Sequence, residues 1–122
     1  MSRVTGLALA LSLAVSTFAA SHAFAHAHLR TASPAEGATV AAPAEIVLGF
    51  TEALEVRLSS ITVRDAQGQA VQAAPAEAVP GDGKALKIRL KAAAPGPYTV
   101  EWAATSVDTH RVTGQYRFIV RP

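Results

Sequence analysis

The chain has 122 residues, half of them hydrophobic, with 11 Lys and Arg against nine Asp and Glu. These charges nearly cancel, and no Lys/Arg cluster or interleaved aromatics give the pattern of a nucleic-acid surface. There is no cysteine, which excludes disulfide staples, thiolate metal sites and cysteine nucleophiles, and the single methionine is Met1.

Residues 1–25 read as a secretory signal peptide. Arg3 precedes an apolar run from Leu7 to about Ala20, followed by Ala23-Phe24-Ala25, the small-residue pattern of a cleavage site. The run is shorter than the roughly 20 residues of a membrane-spanning helix, and no second one follows. Cleavage after Ala25 leaves residues 26–122 as one exported domain with no membrane insertion. Cleavage after Ala27 satisfies the same rule, so both bonds stay open.

The remainder reads as short strands separated by turns. In AEIVLGF (44–50), Ile46, Leu48 and Phe50 share a face; in SSITVRD (59–65), Ile61 and Val63 do. LKIRL (86–90) sets Leu86, Ile88 and Leu90 inward, with Lys87 and Arg89 outward. PYTVEWAA (97–104) aligns Tyr98, Val100 and Trp102, and GQYRFIV (114–120) aligns Tyr116, Phe118 and Val120. The breaks at Pro34, Pro43, Pro75, Pro80 and Pro95 fall between these runs, where proline belongs. Further strands near His28–Ala32 and Ala70–Ala73 bring the number to about seven, spaced as in an antiparallel sandwich. TEALEVRL (51–58) has room for a helical turn, and the proline-broken QAAPAEAVPGDGK (72–84) reads as loop.

Chemistry concentrates in three histidines that remain after cleavage: His26, His28 and His110. His110 follows Asp108 by two residues in SVDTHRVTG, and on an extended segment such residues point to one side. That pair reads equally as a surface ion pair or an Asp turn closing on its own backbone. His26 adds to it. As a first residue it would carry a free α-amine, ordinarily titrating near 7.7–8.0, beside its imidazole; amine and Nδ1 close a six-membered chelate ring. With a nitrogen of His110, and Asp108 or water as the fourth donor, this set suits Cu(II). The rival is His28. A free amine with histidine in third position can wrap Cu(II) using two deprotonated backbone amides and no fold. It loses if the segment is already held in the sheet, leaving His28 a peripheral residue.

Other chemistry is poorly supported. Ser106, Asp108 and His110 share one short segment without an exposed-serine elbow. Glu52 and Glu55 read as a solvated face, GDGK as a turn rather than a phosphate loop, and Trp102 and Tyr116 as core.

Taken together, the start HAHLRTASPAEGATVAAPAEIVLGFTE (26–52) and the late YTVEWAATSVDTHRVTGQYRFIV (98–120) resemble the CopC family of periplasmic copper-binding proteins. The resemblance spans essentially all of residues 26–122. It rests on the leading histidine, the SPAEG turn, FTE at 50–52 and the S-x-D-x-H ending. It implies a seven-stranded Greek-key β-sandwich, cupredoxin-like or immunoglobulin-like, and a Cu(II) site of His26, Asp108 and His110. It also implies a hydrogen-bonding role beside the ligands for Glu52, since outer partners orient metal-binding groups. Some members carry a methionine-rich Cu(I) loop; with no methionine after Met1, this chain resembles a Cu(II)-only member.

The function implied is non-enzymatic: a monomer that sequesters, buffers or delivers Cu(II) in the periplasm for copper homeostasis or resistance. Its implied partner is a CopD-type copper transporter of the inner membrane. The alternative is an enzyme like the lytic polysaccharide monooxygenases, which also bind copper through an amino-terminal histidine on a β-sandwich. One Trp, two Tyr and four Phe in the whole chain leave little for a broad polysaccharide-binding surface.

Overall fold

A computed structural model describes residues 26–122, and the signal-peptide reading of residues 1–25 lies outside the described residues. Among the described residues, eight strands form two four-stranded sheets. They are β1 (Leu29–Ser33), β2 (Thr39–Val40), β3 (Glu45–Phe50), β4 (Ser60–Arg64), β5 (Glu77–Val79), β6 (Asp82–Arg89), β7 (Gly96–Thr105) and β8 (Arg111–Val120). One sheet has the order β1-β3-β6-β5 and the other β2-β8-β7-β4, so the chain crosses repeatedly between them in Greek-key fashion. The all-β sandwich expected from the alternation is present.

The expected inward faces are the observed ones. Ile46 pairs with Ile88 and Leu48 with Leu86 in the first sheet; Ile61 pairs with Trp102 and Tyr98 with Phe118 in the second. All eight side chains are buried, and so are Phe50, Val63, Val100, Tyr116 and Val120. Edge-to-face packing of Phe50 on Trp102, with ring centres 5.2 Å apart, joins the sheets across the core. A side chain at Gly114, directly opposite Trp102 in the ladder, would run into the indole ring, so glycine there lets the tryptophan lie flat. The Tyr98 hydroxyl donates to the Ala94 carbonyl at 2.6 Å. The buried Tyr116 hydroxyl has no hydrogen-bond partner among the described residues, and burial pushes its pKa up to about 12.

Three differences from the expected seven strands have local causes. The two-residue β2, too short to show alternation, pairs with the end of β8 and does so in parallel. QAAPAEAVPGDGK is not all loop: Val79 pairs with Asp82 across Pro80-Gly81, and Gly81 at φ +78° provides the turn that launches β6 early. Residues 70–73 form isolated bridges, Ala70 with Arg64 and Gln72 with Leu90, instead of a strand. The helical turn anticipated in TEALEVRL is a 3-10 turn over Val56–Leu58.

Candidate metal centre

One end of the sandwich gathers the start of β1, the end of β3, the start of β6 and the β7–β8 connection. The segment after β3 ties these together. Leu54 N–H donates to the Gly83 carbonyl, Glu55 N–H to Thr105, and Val107 N–H to Ala53. On its other side Thr51 holds the amino-terminal residues. Its hydroxyl donates to the His26 carbonyl at 3.3 Å and accepts the His28 N–H at 3.0 Å, while its own N–H donates to the His28 carbonyl at 2.9 Å. Ala27, between the two exposed histidines, is fully buried in the core cluster.

The β7–β8 connection is built just as locally. Ser106 N–H donates to the His110 carbonyl at 2.9 Å and Thr109 N–H to the Ser106 carbonyl at 2.8 Å. Thr109 takes φ +74°, a conformation rare for a β-branched residue, so the chain doubles back where an extended segment was expected. Asp108 and His110 are nonetheless neighbours, with Oδ1 and Nδ1 3.2 Å apart. Asp108 Oδ1 also accepts the Ser106 hydroxyl and, at 3.2 Å, the His110 N–H, so the Asp-turn reading holds as well. All three of these contacts fall on Asp108 Oδ1.

These contacts hold the Asp108 carboxyl below the usual carboxylate range, the Ser106 hydroxyl contributing most and the His110 N–H next, with partial desolvation opposing. A depressed carboxylate stabilises the folded turn fully above the ordinary aspartate value, about 3.9. That contribution is lost as pH falls through the lowered folded value. Ser106→Ala is expected to move the Asp108 midpoint upward, towards the ordinary value, in a carboxyl NMR titration of the metal-free protein. An unchanged midpoint would contradict this account of the turn.

The first described residues and the β7–β8 connection meet here. The rings of His26 and His110 lie edge to face with centres 5.0 Å apart, and those of His26 and His28 lie 6.4 Å apart. Two imidazoles sharing a metal at about 2 Å per nitrogen have ring centres at most about 6.5 Å apart. The first pair lies well inside that limit and the second at its edge. Among the described residues no three His, Asp or Glu side chains form a ready-made metal cluster. Of the three side chains expected from the sequence, His110 approaches both His26 and Asp108, but the three do not converge as one cluster; the remaining expected donor is a backbone amine that exists only once His26 begins the chain. Glu52, next to Thr51, is partly buried; the hydrogen bonds to the histidine segment come from Thr51. Sequence reasoning passed over Thr51 and weighed Ser106 only as a nucleophile, although both lie inside the FTE and S-x-D-x-H motifs. A surface hollow between Val56–Ile61 and residues 72–76 lies elsewhere.

Fold and cluster together define a small two-sheet β-sandwich bearing histidines and a carboxylate at one end of its core. The chain belongs to the CopC family: residues 29–121 match the CopC domain, a span that includes Asp108 and His110 and begins just after His28. Copper resistance protein C of Xanthomonas campestris pv. juglandis is 36% identical over 121 residues, covering 94% of this chain and 95% of that one. Protein YobA of Escherichia coli strain K12 is 34% identical over 122 residues, 98% of each chain. The crystal structure of CopC from Methylosinus trichosporium OB3b superposes with a TM-score of 0.74 at 34% identity, covering 80% of this chain and 95% of that one. PcoC, a methionine-rich copper resistance protein from Escherichia coli, gives a TM-score of 0.67 at 35% identity, covering 80% of this chain and all of its own.

Proposed function

We propose that this protein is exported, cut after Ala25, and then binds Cu(II) through the His26 amine and imidazole, a His110 nitrogen and Asp108. In this reading residues 26–122 act in the periplasm as a non-enzymatic monomer that sequesters, buffers or delivers copper in homeostasis and resistance. An inner-membrane transporter of the CopD type is the proposed recipient.

The observation that carries the reading is the 5.0 Å approach of His26 to His110, residues far apart in the sequence. Asp108 supports it, with Oδ1 engaged by its own turn and Oδ2 clear of those bonds. Names of relatives support it too, since copper resistance protein C is similar over nearly the whole chain. The chain's hard and borderline donors favour the cupric ion, and with no cysteine and no methionine beyond Met1 it has no soft sulfur ligand to select Cu(I). Glu52 is proposed to steady the ligands from beside Thr51, and His28 to stay peripheral.

Binding outside catalysis is favoured by the aromatic inventory: Phe50, Tyr98, Trp102, Tyr116 and Phe118, all the aromatic side chains among the described residues apart from histidine, are buried in the core. A sugar-binding platform needs such rings exposed. The test pairs two measurements on the protein beginning at His26. Cu(II) titration against a competing chelator is expected to give one tightly bound ion. The copper-loaded protein with reductant is expected to release no oxidised sugars from chitin or cellulose. Oxidised products would overturn the carrier reading in favour of an enzyme.

A further inference from the structure

Resting on the copper site proposed above, we infer that Thr51 is a positioning residue that decides between two ways the same amino terminus can hold Cu(II). In one, the His26 amine and imidazole join His110. In the other, the amine, the amide nitrogens of Ala27 and His28, and the His28 imidazole wrap the ion in a plane. The second arrangement needs both amides that flank Ala27.

Thr51 is bonded to both of them. Its hydroxyl, which can donate and accept at once, donates to the carbonyl of the His26–Ala27 amide and accepts the N–H of the Ala27–His28 amide. The Thr51 N–H then takes the His28 carbonyl, continuing the β1–β3 ladder past the Leu29–Phe50 pair. Ala27 is anchored in the core, fully buried between its two exposed neighbours. Wrapping an ion would strip the amide hydrogen that Thr51 holds, turn the first carbonyl away from its donor and draw Ala27 out of the core. The clamp therefore keeps the histidine segment open towards His110. Its chemistry is specific to a hydroxyl, because only a group that accepts and donates can span the two amides at this place.

Thr51→Val keeps shape and strand propensity while removing the hydroxyl. In the protein beginning at His26, it is expected to raise the planar four-nitrogen species relative to the His110-dependent one by about tenfold, the factor carried by one to two hydrogen bonds. The readouts are electron paramagnetic resonance and a visible band moved to shorter wavelength. The new signal should survive His110→Ala, disappear with His28→Ala, and be absent from Thr51→Ser, which restores the hydroxyl. Thr51→Ala, smaller and on an exposed residue, provides a second hydroxyl-free variant. A folded Thr51→Val or Thr51→Ala protein with the parent spectrum would overturn the inference while leaving the copper site standing. A parent spectrum indifferent to His110→Ala would overturn both.

Discussion

His110→Ala is expected to lower the Cu(II) affinity of the protein beginning at His26 by about 100-fold or more. Outer partners that merely orient ligands carry roughly 10–100-fold in metal affinity, so loss of a direct donor should exceed that range. The substitution is clean because the turn does not depend on the imidazole. The Ser106 N–H to His110 carbonyl bond and the His110 N–H to Asp108 bond are backbone contacts that alanine keeps. The side chain itself is about one-third exposed, at 35%, so its removal leaves no deep cavity. Chelator competition measures the affinity, and an unchanged circular dichroism spectrum establishes that the fold survives. Affinity within a few-fold of the parent would remove His110 from the site.

Phe118→Ala is expected to have the largest effect on stability, a loss of about 3–5 kcal/mol. Phe118 is fully buried and stacks on Tyr98, its partner across β7 and β8, with ring centres 5.4 Å apart and planes within 15°. Domains of this kind have only about 5–15 kcal/mol in total, and without cysteine no disulfide staples the sheets together. Urea unfolding should show the midpoint fall sharply. Because Phe118 lies in the core and the proposed copper site at one end, bound Cu(II) should recover most of the loss, about 4 kcal/mol at a free concentration 1,000 times the dissociation constant. The same addition should do little for His110→Ala. A loss below about 1 kcal/mol would mean that the core is not packed as described.

The strands legible in the sequence were those long enough for alternation to show which face is buried. Ile46, Leu48 and Phe50, or Tyr116, Phe118 and Val120, announce their inward side directly. β5 was hidden because Glu77–Val79 is held by the Pro80-Gly81 turn and by pairing with β6, not by its own alanine-rich composition. β2 was hidden by length alone. At the site, Asp108 and His110 could be paired from spacing, yet the spacing argument assumed extended backbone and the proximity comes from a turn at Thr109. That Thr51 would clasp His26 and His28 was not readable. It depends on the register in which β1 pairs with β3, which sets residue 51 beside residues 26–28, a consequence of topology that no local pattern carries.

The central claim is that the His26 amine is a donor, and one comparison tests it most directly. Cu(II) affinity and the electron paramagnetic resonance spectrum are measured for the protein beginning at His26 and for the same protein with its His26 amine acetylated. Acetylation turns the amine into an amide and supplies no new amine to anchor the ion, so neither the chelate ring at His26 nor the amide-wrapped arrangement through His28 can form. The account predicts at least about a 100-fold loss of affinity and the loss of one nitrogen from the copper spectrum. Equal affinity with an unchanged spectrum would contradict it.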